Sequence, residues 1–432
     1  MSRSLISTLP KMVGEQVCIE GWMHNMRAFP DFSFVILRDR TGQQQVIFEP
    51  GQELEKLSGL QNETVLRITG TVAAEERSPT GVDVRGESIE VIAPVTETGP
   101  FELNKKVLKP SLDVFLDHAG YGLRHPLKAA TFRVMGTLLG AYRRHLTENG
   151  FTEISTPKIV GSATEGGANV FPVAYFDQTA YLAQSPQLYK QIMVGVFERV
   201  FEIGHVFRAE AHNTSRHLNE YISLDLEMGF INSQHDVMDT LSDVLTAMFE
   251  AVAEINPNEI ELLKIQLPPG QPFPAITFRE GQQLILDLHG EERFDEPDLS
   301  PQDERWLCEW SREKHGSDFL FVTHFPTSKR PFYAYPDPAD PTYSESFDLL
   351  FRGSELVTGG QRISNYAQLV SVMTERGIDP EPFSGFLEAF KFGMPPEGGF
   401  AIGAERLLAR LTGAENIRET TLFPRDVTRL TP

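Results

Sequence analysis

The stretch Phe207-Arg208-Ala209-Glu210-Ala211-His212-Asn213-Thr214-Ser215-Arg216-His217-Leu218-Asn219-Glu220-Tyr221-Ile222-Ser223-Leu224-Asp225-Leu226-Glu227-Met228-Gly229-Phe230 decides how the rest of the chain is read. Its second half alternates strictly. Ile222, Leu224, Leu226, Met228 and Phe230 fall on one face, and Tyr221, Ser223, Asp225 and Glu227 on the other, which is the period of a β-strand. Arg208 and Glu210 share one face of an upstream strand, and the polar loop 212–219 joins the two. An antiparallel pair so joined presents Arg208, Glu210, Asp225 and Glu227 on one surface. The same pattern also fits the solvated face of an ordinary antiparallel sheet.

Working outward, strands are expected around 201–207, 221–230, 346–357 and 399–402, and helices at 187–199, 235–255 and 366–376. Phe132, Met135, Leu139, Tyr142 and Leu146 recur at helical spacing, and Asn149-Gly150 closes that helix. This mixture is α+β, an antiparallel sheet with helices, because strands and helices do not alternate regularly. Upstream, short strands at 17–26, 32–38, 44–48, 64–73 and 82–92 are separated by turn signals such as Pro30-Asp31 and Pro79-Thr80-Gly81. Five such strands suit a small β-barrel of the oligonucleotide-binding type. Residues 98–125 lack clean periodicity and read as a hinge. The expected organisation is therefore a barrel at 1–97, a linker at 98–125 and a larger domain at 126–432.

The chain has 432 residues, 41% hydrophobic and 23% charged, which suits a globular protein of more than one domain. It has no apolar run of membrane-spanning length and no signal-peptide core at its start, so a cytoplasmic setting is expected and no membrane partner. Cys18 and Cys308 are the only cysteines, too few for a disulfide framework or a cysteine-rich zinc site. The net charge of −21 argues against a broad nucleic-acid surface. A local basic patch remains compatible with it, since contact chemistry depends on local rather than net charge.

Two further groups could carry chemistry. Asp348 and Glu355, with the hydroxyl of Thr358 close in sequence, could hold Mg²⁺, which takes a few carboxylates together with phosphate oxygens and water. A strand-edge charge pair would read the same way. Gly398-Gly399-Phe400-Ala401-Ile402-Gly403-Ala404-Glu405-Arg406 reads as a Gly-rich strand entering a helix whose first turn carries Arg406. Such a start favours phosphate. It is neither a Walker A loop nor a dinucleotide fingerprint.

In this order, the groups resemble the motifs of class II aminoacyl-tRNA synthetases. The helix and Ile154-Ser155-Thr156-Pro157 (near 132–157) resemble motif 1, Phe207-Arg208-x-Glu210 with its return strand (near 207–230) motif 2, and Gly403-x-Glu405-Arg406 (near 398–410) motif 3. The resemblance covers essentially the whole chain and points to the subclass handling aspartate, asparagine and lysine. The signatures of class I enzymes are absent, and Thr327-Ser328-Lys329-Arg330 echoes one of them only superficially. Gln184-Ser185-Pro186-Gln187-Leu188-Tyr189-Lys190 and Gly359-Gly360-Gln361-Arg362 resemble the aspartate members, in which a lysine and an arginine share the substrate β-carboxylate. Asparagine members do not keep that lysine.

The resemblance implies ATP, L-aspartate, tRNA(Asp) and Mg²⁺ as ligands, and a homodimer formed through motif 1. It implies Arg208 at the α-phosphate, Arg406 at the γ-phosphate, Glu210 at the adenine amino group, and Arg216, His217 and Leu218 with Gly403, Ala404, Glu405 and Glu355 around the nucleotide. Asp348, Glu355 and Thr358 would hold the metal. Gln187, Lys190, Thr358, Arg362 and Glu165 of the mobile Ala163–Gly167 loop would surround the amino acid. On the barrel, Phe34 would stack on the anticodon, with Arg27 and Gln45 as polar readers. His24 and Pro79 stand where aspartate enzymes restricted to tRNA(Asp) carry tryptophan and lysine, and so resemble the relaxed kind that also charges tRNA(Asn). The shortness of the chain resembles the archaeal and eukaryotic form. Rival readings are an asparagine–tRNA ligase, opposed by Lys190; a catalytically dead RNA-binding relative, opposed by Arg208 and Arg406; and an asparagine synthetase of the same catalytic fold, opposed by the barrel.

Overall fold

The computed structural model describes residues 2–161, 169–211 and 214–432. The chain divides into two compact units, 1–125 and 126–432.

In the first unit the five expected strands form at Gln16–Ala28, Ser33–Arg38, Gln43–Phe48, Val65–Ala74 and Val82–Ala93. Gln16–Ala28 pairs with both Ser33–Arg38 and Val65–Ala74, which closes the sheet into a barrel; Arg3–Ser4 adds a short parallel edge. Alternate residues such as Val35, Leu37, Val46, Leu66 and Ile68 fill the interior. The expected linker carries two short helices, Leu112–Asp117 and Ala119–Gly122, and groups with the barrel. Phe101 packs on Phe115 and Tyr121 there. Anchoring by a few aromatics leaves no periodicity to read.

In the second unit an eight-stranded sheet runs in the order Ala275–Thr277, Phe319–Thr323, Ser346–Phe351, Ser354–Arg362, Glu397–Gly403, Glu220–Gly229, Arg199–Phe207, Thr152–Glu153. Only the two outermost pairings are parallel. Helices Pro126–Glu148 and Gln234–Ile255 cover one face, burying Leu224, Leu226, Phe347, Leu349, Phe400 and Ile402 in one core. A three-stranded sheet of Ile159–Val160, Gln178–Leu182 and Pro172–Tyr175 lies apart. No helix among the described residues is long and apolar enough to cross a membrane. Both cysteines are buried and unbridged.

Three local expectations change. The stretch 346–357 is a hairpin: Arg352 and Gly353 both take positive φ (47° and 82°), the two-residue turn that matches strand twist. The alternation stops at Gly229, because Phe230 adopts φ 59° and ends 70% exposed. Arg208 and Glu210 lie just beyond the Arg199–Phe207 strand. Asn219 donates through Nδ2 to both of their carbonyls, at 2.6 and 3.1 Å, and fixes that turn of chain.

Candidate active site

The uncovered face of the eight-stranded sheet floors a cavity of about 390 Å³. Five arginines reach its wall: Arg208, Arg216, Arg330, Arg362 and Arg406. Arg208 and Arg216 follow the Arg199–Phe207 strand, Arg362 ends Ser354–Arg362, Arg406 lies in the first turn of helix Ala404–Thr412, and Arg330 comes from an irregular loop; Glu210, Asp225, Glu355 and Glu405 share the wall with them.

Behind this wall the polar face of the Glu220–Gly229 strand is not solvated. Asp225 is 2% and Glu227 0% exposed, so the ordinary-sheet alternative fails. Each carboxylate is paired. Lys190 Nζ lies 3.1 Å from Asp225 Oδ1 and 3.1 Å from Glu227 Oε2, and also donates to the carbonyls of Phe400 and Leu226. Arg362 donates through Nε to Glu227 Oε1 (2.8 Å) and through Nη2 to Gly399 O (2.9 Å). Its Nη1 has no partner among the described residues, and the residue lines the cavity. Gly399 permits this packing: a Cβ there would collide with the Leu226 carbonyl and the Glu227 carboxylate. Glu397, opposite Arg362, is fully buried with neither oxygen hydrogen-bonded. Burial, reinforced by Glu227, raises it far above the usual carboxylate range against the pull of Arg362 and Lys190. Protonated, it leaves two cations against two carboxylates.

The hairpin supplies the acidic side. Strand parity would place Glu355 and Thr358 on opposite faces. A register shift at Leu349/Leu350 makes Leu356 an extra residue, a bulge that re-aims side chains. Thr358 Oγ1 accordingly donates to Glu355 Oε1 at 3.1 Å. Asp348 lies opposite Thr358 and pairs with Arg330 at 2.8 Å. Burial pushes Asp348 up to about 7, with Arg330 opposing and Glu355 reinforcing. Two carboxylates beside a hydroxyl form a donor set that suits a hard dication.

Arg406 donates to the Glu355 carbonyl at 3.0 Å. His217 Nε2 lies 3.6 Å from Glu210. Glu405 accepts the Ile222 N–H at 3.1 and 3.0 Å, tying the helix start to the central strand.

With the geometry in place, comparison with known proteins is decisive. Residues 112–427 match the model of class II tRNA synthetases (D, K and N), and residues 17–94 that of the OB-fold nucleic acid binding domain. This chain belongs to the class II tRNA synthetases. It is 44% identical over 431 residues to the aspartate–tRNA(Asp/Asn) ligase of Thermus thermophilus, covering 100% of both chains. It is 45% identical over 429 residues to the ligase of the same name from Methanopyrus kandleri, covering 98% of this chain and 97% of that one. The crystal structure of asparaginyl-tRNA synthetase from Pyrococcus horikoshii with asparaginyl-adenylate superposes with a TM-score of 0.93 at 31% identity, each chain covered in full.

In this synthetase the fold gathers Gln187, Arg208, Glu210, Arg216, His217, Leu218, Glu355, Thr358, Arg362, Gly403, Glu405 and Arg406 at one cavity. Ala404 follows as the first residue of its helix. Lys190 sits one layer behind, 1% exposed. Glu165 lies outside the described residues. On the barrel, Arg27 is directly opposite Phe34, and Gln45 opposite Ile36, which puts Arg27, Phe34 and Gln45 on one outward face. Phe34 clusters with exposed Phe29 and Phe32, at 5.6 and 4.9 Å between centroids. His24 occupies a bulge between Met23 and Asn25, and burial first, then Arg38 and His125, lowers it to about 4. Pro79 is exposed in the loop between Val65–Ala74 and Val82–Ala93.

Sequence reasoning missed Arg330, Tyr333, Glu397, Glu304, Phe29 and Phe32. Glu304 accepts the Glu355 N–H at 3.2 Å and is raised by burial and by Glu355. No motif marks it. The triplet Phe29, Phe32, Phe34, polar-spaced near a turn, was a legible sign of a stacking surface.

One prediction concerns Glu405, which burial pushes up to about 7 from 4.5 while the Ile222 N–H pulls it down. A raised folded-state value binds the proton more tightly in the native protein. Its contribution to stability is present below 4.5 and is lost as pH rises through about 7. Glu405→Gln, still able to accept from Ile222, should gain stability relative to wild type across that window, by up to roughly 3 kcal/mol. Urea unfolding of both proteins at several pH values reads it, and a pH-independent difference would refute it.

Proposed function

We propose that this synthetase activates L-aspartate with ATP and transfers it to the 3′ end of tRNA(Asp) and of tRNA(Asn). The observation that carries the amino-acid half is Arg362, a cation on the cavity wall with one nitrogen unengaged and its orientation held by Glu227. A planar guanidinium suits the β-carboxylate of aspartate, and Lys190 behind it supplies a second positive charge. The names of the Thermus and Methanopyrus relatives support both tRNAs.

In the first step the aspartate α-carboxylate attacks the α-phosphorus in line, forming a C–O–P linkage as pyrophosphate leaves. The chain's part is positioning and charge stabilisation. Arg208 meets the α-phosphate, Arg406 the γ-phosphate, and Arg216 and His217 hold the nucleotide whose adenine amino group meets Glu210. Gln187 and Thr358 line the amino-acid end. Asp348, Glu355 and Thr358 would hold Mg²⁺, which neutralises phosphate charge when bound. In the second step the 3′-hydroxyl of the terminal adenosine attacks the aspartyl carbonyl and AMP departs. Arg27, Phe34 and Gln45 receive the anticodon by stacking and edge contacts. The reading includes a cytoplasmic homodimer through 132–157. Thr152–Glu153 is the outermost strand of the sheet, so its free edge can face a second copy.

Two assays test this. ATP–pyrophosphate exchange should depend on aspartate, and exchange with asparagine alone would refute the amino-acid assignment. Wild type should charge transcripts of both tRNAs, whereas His24→Trp with Pro79→Lys should lose chiefly tRNA(Asn), by the ~10-fold or more that one or two mispaired contacts cost. Refusal of tRNA(Asn) by wild type would remove the relaxed-specificity claim and leave the aspartate claim standing.

A further inference from the structure

The loop joining the strands Phe319–Thr323 and Ser346–Phe351 begins at His324, passes Asp337 and ends at Glu345. These three side chains converge. His324 Nε2 is 3.9 Å from Asp337 Oδ2 and 3.9 Å from Glu345 Oε1, and one donor atom from each lies within 4.8 Å of the others. They are 27%, 18% and 17% exposed. A fourth polar group comes from elsewhere in the fold. Gln234, the first residue of its helix, is fully buried and brings its amide to 3.5 Å from His324 Nε2. Its Oε1 is buried without a partner.

Thr323 Oγ1 lies 2.8 Å from His324 Nδ1 and 3.4 Å from the Ile276 carbonyl, so Nδ1 is held by its neighbour while Nε2 faces the two carboxylates. A histidine held through Nδ1 with Nε2 turned toward other donor groups is a common arrangement for a metal ligand.

We propose that His324, Asp337, Glu345 and Gln234 form a binding site for a divalent transition-metal ion of the Zn²⁺ class. Donor atoms around such an ion stand roughly 3.4 Å apart in tetrahedral geometry, so the two His324–carboxylate distances need to close by about half an ångström. An amide flip turns the unpartnered Gln234 oxygen onto the ion. One imidazole with carboxylate oxygens favours Zn²⁺ or its neighbours over Mg²⁺. The site would clamp both ends and the middle of the loop that carries Arg330 and Tyr333 to the cavity, restricting it as a cross-link restricts a chain.

The test uses the metal-stripped full chain, equilibrated with micromolar Zn²⁺ in excess Mg²⁺ and then gel-filtered. Native protein should retain one equivalent of zinc, melt at higher temperature with it, and resist tryptic cleavage after Lys329. His324→Ala and the volume-preserving Asp337→Asn should lose all three effects, while Glu355→Gln keeps them. No retained zinc, or equal retention by both loop variants, would overturn the proposal. A raised His324 pKa by NMR without bound zinc would instead identify an ion pair of protonated histidine.

Discussion

Arg362→Gln should lower aspartate-dependent ATP–pyrophosphate exchange by ~10²–10³-fold, the usual consequence of deleting one preorganised charged donor from a dry site. The change removes a cation that lines the cavity and whose Nε–Glu227 and Nη2–Gly399 bonds fix its plane. Glutamine can keep one of those bonds but offers no charge to a β-carboxylate. The loss should appear mainly as a raised KM for aspartate, with KM for ATP nearly unchanged, because the arginines proposed for the phosphates are separate residues. Arg362→Lys restores charge without the fork and should recover only part of the activity. Equal loss for both substrates would mean that Arg362 acts on the whole cavity and does not read the amino acid.

Lys190→Met should destabilise the protein by about 3–5 kcal/mol, the cost of removing one partner from a buried ionic cluster. Its ammonium is 1% exposed and lies 3.1 Å from each of Asp225 and Glu227. Without it, Asp225 retains the hydroxyl of Ser223 but no cation, and Glu227 retains Arg362. Urea unfolding reads the loss. Repeating the substitution in an Asp225→Asn background should shrink it, because the stranded carboxylate is then gone; a coupling of about 1–3 kcal/mol is expected for groups in direct contact. A loss below ~1 kcal/mol in the wild-type background would show that water enters to solvate the carboxylates, contrary to their burial. Lys190→Met should also abolish aspartate activation, so the two readouts separate folding from chemistry: Asp225→Asn should rescue the first without the second.

The two variants also show why the site was only partly legible. Arg362 and Lys190 were identifiable because each stands in a short stretch that resembles the family. Their difference in depth was not identifiable. Lys190 is the fourth residue of its helix, and helical position alone does not say whether an ammonium faces water or a pair of carboxylates. Glu355 and Thr358 were likewise assigned together by resemblance, while simple alternation would have set them on opposite faces; the bulge at Leu356 reconciles them. Arg330 and Tyr333 reach the wall on an irregular loop whose course depends on packing far from it in sequence.

The amino-acid sequence by itself determined the order of motifs, the five barrel strands and the α+β class, and through the motif resemblance it pointed to the arginines proposed for the phosphates. These are local properties: period-two alternation, turn residues and short fixed spacings survive in a linear string. Only the tertiary structure decided that the polar face of 221–227 is buried and compensated, that 346–357 folds back on itself, that Glu397 is an unpartnered acid opposite Arg362, and that three side chains of the 324–345 loop converge beside Gln234. Burial and charge compensation are sums over neighbours from distant segments. They therefore come into existence only when the strands are side by side.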